Sequence, residues 1–360
     1  MKLTKKLIAL VIVCIMALSI TGCHKQNEIA VTVNGYEFTS GYYMCALVNA
    51  YTEGQSAVYE SKENKTDINY FKEKIDGKEF SVWVKDRAID LLEEIGTYKK
   101  LCDDNKVKID DEVKANAENT AYYMWSMYGY GALFEPNGVS YETYKKFTLD
   151  SYCQTLYFEH LYGEKGEKEI AAAEVEKKLY ETFIIADLID VTFGEETAEK
   201  KAETKTKLEG YLNDLTSKKK TFEEVYKLHN NITEEEEKEE EKTENEDVEI
   251  LEPLDEYAQI LGAKDSGYDH DYFDDINKMA TNEVKLIAKK DNAGYLLVVK
   301  KDIKADPYYR DSLDMTVRHL LKDADFEKDM EKLFKEAKAD INSYAVDRFK
   351  VKNIKEPSYS

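Results

Sequence analysis

Phe183-Ile184-Ile185-Ala186-Asp187-Leu188-Ile189-Asp190-Val191-Thr192-Phe193 is an apolar, β-branched run set inside a helix-rich sequence. A run of this kind fills a mostly buried strand. A short helix rich in Glu and Lys precedes it, over 171–182. A charged helix follows over 195–217, and Thr221-Phe222-Glu223-Glu224-Val225-Tyr226 begins another. Further on, Phe273 to Met279 has the pattern of a short helix. Glu283-Val284-Lys285-Leu286-Ile287-Ala288 and Gly294-Tyr295-Leu296-Leu297-Val298-Val299 then read as paired strands around a turn at 289–293. Residues 183–303 are therefore expected to form a small α/β module.

The flanks are helical. Ile29-Ala30-Val31-Thr32-Val33-Asn34-Gly35-Tyr36-Glu37-Phe38-Thr39-Ser40 predicts a hairpin with a type I′ turn at Asn34-Gly35. Thr39 or Ser40 then caps a helix through about Thr52, and 53–79 reads as an exposed loop. Trp83, Ala88, Leu91, Leu92, Ile95, Tyr98 and Leu101 recur mostly at spacings of three and four, which predicts a long helix over 81–105. Asp110 and Ser140 open two more. Asp306-Pro307 opens the last helical region, whose stripe includes Leu313, Val317, Leu320, Phe326, Met330 and Phe334. A small strand is expected within 341–351. The expected fold class is α+β, with a mostly helical domain from 29–182 and 304–354 around the inserted module.

The first residues carry a targeting signal. Lys2, Lys5 and Lys6 precede an apolar run from Leu7 to Ile20, and Thr21-Gly22-Cys23 closes it. A basic start, a short apolar stretch and small residues before a cut site make a secretory signal. The run is shorter than the roughly 20 residues that a membrane span needs. Leu18-Ser19-Ile20-Thr21-Gly22-Cys23 resembles a lipobox, which implies that 1–22 is a lipoprotein signal peptide and that Cys23 is lipidated. Two acyl chains hold a soluble body at a bilayer. The expected location is the outer face of a bacterial plasma membrane, with 23–28 as a polar tether.

Removing three lysines from a formal charge of −22 leaves −25 for the mature chain. That charge repels nucleic acid, whose phosphates demand cationic partners, and disfavours flat contact with anionic lipid. Eleven acids and two lysines fall between Glu234 and Glu249, so 231–250 reads as a disordered acidic loop. It has no glycine for a calcium loop, and no metal or cofactor is expected. Cys45, Cys102 and Cys153 are too few and too widely spaced for a disulfide framework. They read either as buried thiols or as one bridge with a thiol left over.

The order of elements resembles that of SurA/PrsA-type foldase lipoproteins, in which a helical chaperone domain carries an inserted parvulin peptidyl-prolyl isomerase domain. Val31-Thr32-Val33-Asn34-Gly35-Tyr36-Glu37-Phe38-Thr39 is similar to the family's opening strand and turn. Ala173-Glu174-Val175-Glu176-Lys177-Lys178-Leu179-Tyr180 resembles its helix before the isomerase. Phe273 to Met279, with Gly294 to Val299, is similar to the parvulin's closing helix and strand. In that family two histidines face each other beneath the bound proline. Here the aligned positions hold Leu188 and Leu296.

The resemblance implies a chaperone or foldase for secreted or envelope proteins, with unfolded polypeptides as partners. Prolyl isomerisation faces a barrier of roughly 18–20 kcal/mol. Leucines in place of imidazoles remove hydrogen-bonding capacity from the pocket floor, so a degenerate parvulin module with little or no isomerase activity is expected. An active isomerase would need polar residues such as Asp187 or Asp190 in their place. A surface-binding lipoprotein that reuses the scaffold is the remaining alternative. The chain holds 27 tyrosines and 13 phenylalanines. Tyr122, Tyr123, Trp125 and Tyr128 form its richest aromatic stretch and are the candidate client-binding residues. Aromatic rings with methionines suit promiscuous apolar contact.

Overall fold

Asn34 and Gly35 both adopt positive φ, 52° and 87°, and turn β1 (Ile29–Val33) back onto β2 (Tyr36–Thr39) with Val33 opposite Tyr36. This is the I′-like reversal that the dipeptide favours. The structure, a computed structural model, describes residues 27–62, 68–232 and 253–357. The expected signal segment 1–22, Cys23, most of the expected tether and nearly all of the acidic run 231–250 lie outside the described residues. The chain is α+β and divides into two units: residues 1–169 with 324–360, and residues 170–323.

In the first unit Thr39 caps α1 (Ser40–Ser61) by accepting the Tyr42 N–H at 3.3 Å. Tyr43, Cys45, Leu47 and Val48 on α1 are fully buried, so this helix runs through the core rather than over it. It continues past the expected end near Thr52, and Gly54 sits under two rings. A Cβ there would lie 3.0 Å from the Phe80 ring and 3.1 Å from that of Trp83. Gly54 is thus a close-packing residue within the helix. The expected loop also holds a small hairpin, β3 (Lys74–Ile75) and β4 (Lys78–Glu79), turning on Asp76 and Gly77 at positive φ.

Three longer helices and one short one follow. These are α2 (Phe80–Asp104), α3 (Asp111–Ser126), α4 (Tyr130–Phe134) and α5 (Tyr141–Tyr162). Asp110 and Ser140 cap α3 and α5 by accepting the N–H groups of Val113 and Thr143, as their positions predict.

The second unit opens with α6 (Ala172–Thr182) and continues through β5 (Phe183–Thr192), α7 (Ala198–Thr216), α8 (Phe222–Asn230), β6 (Ala258–Gly262), α9 (Phe273–Asn277), β7 (Val284–Ala288) and β8 (Gly294–Lys300). Its four strands form one antiparallel sheet in the order β6-β5-β8-β7. Strand β6 is absent from the sequence reading, since Ala258-Gln259-Ile260-Leu261-Gly262 shows weak alternation; pairing with β5 makes it a strand. Helix α10 (Pro307–Glu336) begins in this unit, where the Tyr309 hydroxyl donates to the Ala258 carbonyl at 3.1 Å.

The C-terminal segment completes the first unit. β9 (Ala339–Ile341) pairs with β1, setting Ile341 against Val31 and Ala339 against Val33. A helix, α11 (Ser343–Val346), follows within the stretch expected to hold a strand. Glu28 is not free tether: its carbonyl accepts the Ser40 N–H at 2.8 Å and its carboxylate pairs with Arg348 at 2.8 Å. Among the described residues no helix is long and apolar enough to cross a membrane.

Candidate functional site

The sheet of the second unit has two unlike faces, because successive strand residues point to opposite sides. Ile184, Ala186 and Leu188 of β5 share one face with Leu296 and Val298 of β8 and Leu261 of β6, under Phe273, Ile276 and Met279. Ile189, Leu297 and Val299 face the other way, onto Leu208, Tyr211, Phe222 and Val225 of α7 and α8. Leu188 is opposite Val298 and Leu296 opposite Asp190, so the two leucines are diagonal neighbours on one face. Leu188 is 6% exposed and Leu296 0%. They bring no donor or acceptor to this face, and they are packed as core.

Polar groups gather at the end of that same face. Lys289 pairs with Asp190 and donates to the Thr192 hydroxyl at 2.6 Å. The Tyr272 hydroxyl accepts the Lys290 N–H at 3.0 Å, and His270 Nδ1 accepts the Tyr272 N–H at 3.3 Å. Burial pushes His270 below the ordinary histidine range, with Asp190 opposing, which favours the neutral ring. His270 was missed in sequence because its neighbour Asp190 is distant in the chain.

Asp187 does not join this group. It is 0% exposed, lies opposite Val299, and has Lys301 Nζ at 2.7 Å from its carboxylate; Lys301 also pairs with Asp255. Burial raises Asp187 to about 6, against the pull of Lys301. It therefore cannot stand in for a histidine beside Leu188 and Leu296, whereas Asp190 lies on their face.

In the first unit the aromatic stretch splits by helical phase. Ala117, Ala121 and Trp125 recur every four residues and form the inward stripe of α3. Trp125 packs against Phe134, Tyr141 and Tyr144, with ring centroids 6.4, 5.6 and 5.5 Å away. A Cβ on Gly131 would lie 2.9 Å from its indole nitrogen. Trp125 is thus a packing residue, contrary to its expected place in a client-binding surface. Tyr122, Tyr123, Met127 and Tyr128 are 54, 56, 70 and 72% exposed. Thr120, Tyr123, Met124, Tyr128 and Tyr152 border an open depression of about 550 Å³.

A second hollow of about 390 Å³ lies among α1, α2 and α5, bordered by Asn49, Glu94, Tyr98, Phe147 and Asp150. Asp150 is buried and holds three donors: Tyr42 Oη at 3.0 Å, and Lys99 and Lys146 Nζ each at 2.5 Å. That makes it a structural knot joining three helices. Among the described residues no group of three or more His, Cys, Asp or Glu is placed to hold a metal ion.

No protein-family model matches this chain, and no curated protein matches it.

Proposed function

We propose that the protein is a membrane-anchored, extracytoplasmic chaperone or foldase for secreted or envelope polypeptides, tethered through a lipidated Cys23. Its second unit is a parvulin-like module without working isomerase chemistry. The observation that carries the chaperone reading is the cluster of Tyr122, Tyr123, Met127 and Tyr128, exposed together at the end of α3. Scattered exposed apolar residues need no explanation, but a contiguous set beside a depression suits transient contact with apolar chain segments. Tyrosine supplies that contact at low entropic cost.

The degenerate-isomerase reading draws support from the diagonal pair Leu188 and Leu296, buried as neighbours on one sheet face. A floor of leucines offers no polar group with which to weaken amide resonance. Cys23 anchoring follows from the lipobox resemblance alone, and the net charge argues against nucleic acid as a partner.

The deciding experiment measures light scattering of a chemically unfolded client diluted into the purified protein. Suppression at near-stoichiometric ratio is expected, and it should fall at least several-fold in a Tyr122→Ser/Tyr128→Ser variant. No effect of the unaltered protein on aggregation would remove the chaperone reading. Proline-peptide turnover well above background would restore an active isomerase, with Asp190 and His270 as its first suspects. Loss of detergent-phase partitioning in Cys23→Ser tests the anchor.

A further inference from the structure

Cys45, Cys102 and Cys153 are all buried free thiols in the first unit, but they are not equivalent. Cys102 lies in the last turns of α2 and Cys153 midway along α5. The Cys102 thiol donates to the carbonyl of Cys153 at 3.4 Å, which sets its sulfur against the backbone of the other cysteine. The same two helices are joined three residues earlier on each, where Lys99 Nζ meets the Asp150 carboxylate at 2.5 Å. Residues three apart share a helix face. The ion pair and the cysteine pair are therefore successive rungs of one contact, with the two helices in step. Cys45 has no such counterpart. It sits on α1, where its sulfur is 3.9 Å from Asn49 Nδ2.

We propose that Cys102 and Cys153 are a disulfide-forming pair, joined when the chain folds in an oxidising compartment, and that Cys45 stays a thiol. The compartment rests on the extracytoplasmic reading above; the pairing rests on geometry alone.

The bond forms by two successive exchanges. One of the two thiolates attacks a disulfide R–S–S–R, such as oxidised glutathione or the disulfide of an oxidoreductase, and releases one R–S⁻. The other thiolate then attacks the cysteine sulfur of that mixed disulfide and releases the second. Two electrons pass to the oxidant and the two thiol protons end on the released thiols. Both cysteines are at most 2% exposed. Exchange therefore precedes the closing of α5 on α2, and the finished bond is shielded from reductant.

The test uses the full chain, refolded in oxidised glutathione, alkylated and mapped by mass spectrometry without reduction. A linked Cys102–Cys153 peptide is expected, lighter than the two free peptides by two hydrogens, with Cys45 alkylated only after denaturation. Reductant applied during refolding should lower the thermal midpoint by roughly 5–10 °C. Separate glutathione adducts on Cys102 and Cys153, unreacted thiols at both, or a link to Cys45 would overturn the pairing, and none of these needs a variant that folds. Alkylation trapping in intact cells separates the two readings. A bridge there supports both; a bridge in the tube with free thiols in cells keeps the pairing and overturns the extracytoplasmic placement.

Discussion

Leu188 on β5 and Leu296 on β8 are diagonal neighbours on one face of the second unit's sheet, both buried beneath Phe273, Ile276 and Met279. A side chain there has neighbours on all sides and no water, so what it tolerates is set by packing rather than by reach toward a substrate.

Leu296→His should therefore destabilise the second unit without creating an isomerase. An imidazole in place of a fully buried leucine brings polar atoms into the apolar packing under Phe273, Ile276 and Met279, and even with Asp190 opposite it costs about 2–4 kcal/mol. Urea unfolding followed by fluorescence should show a lower midpoint, and proline-peptide turnover should stay at background. An unchanged midpoint would mean that the position opens to solvent.

Asp187 predicts a pH dependence with a definite sign. Its folded value of about 6 lies above the ordinary carboxylate range, because burial disfavours the ionised form. The folded state then holds the proton more tightly than the unfolded chain does. The resulting stabilisation is complete below about pH 4 and is lost as pH rises through 6. Its size is on the order of 2–3 kcal/mol. Asp187→Asn cannot titrate, so the difference in unfolding free energy between it and the unaltered protein should change across pH 4–7. A difference flat with pH would show that Lys301 fully compensates the buried charge.

Gly294→Ala should be among the most damaging single methyl additions in this unit. Gly294 has φ of 151°, and a Cβ there would fall 1.9 Å from the Val191 carbonyl oxygen. It opens β8 opposite Thr192, so relief requires the strand pair to part. A loss of about 3 kcal/mol or more is expected, read from denaturation midpoints. A shift under 1 kcal/mol would contradict the close approach of these strands.

Trp125 and its neighbours should separate stability from client contact. Trp125→Ala removes a ring packed on Phe134, Tyr141 and Tyr144 and should cost about 3 kcal/mol. Tyr122→Ser and Tyr128→Ser remove exposed rings and should stay within roughly 0.5 kcal/mol of the unaltered protein. The reverse ranking in thermal melts would place the aromatic stretch in the core and leave the chaperone reading without its surface.

Much of the local architecture was legible. Asn34-Gly35 announced its turn, Asp110 and Ser140 their helices, and Phe183 to Thr192 its strand, because turn chemistry, capping and periodicity are properties of neighbouring residues. The acidic run and the net charge were likewise legible, since composition alone sets them. The continuation of α1 past Thr52 was hidden for a reason of the opposite kind: Gly54 packs under Phe80 and Trp83, which the local pattern around it does not contain.

The amino-acid sequence by itself determined most of the element types and the helix starts. Only the tertiary structure decided that β9 pairs with β1, that Trp125 turns inward while Tyr122 and Tyr128 turn out, that Lys289 pairs with Asp190, and that Cys102 meets Cys153. Periodicity fixes which residues share a face of one element. What packs against that face is set by contacts between distant segments, and those are selected by the fit of the whole core.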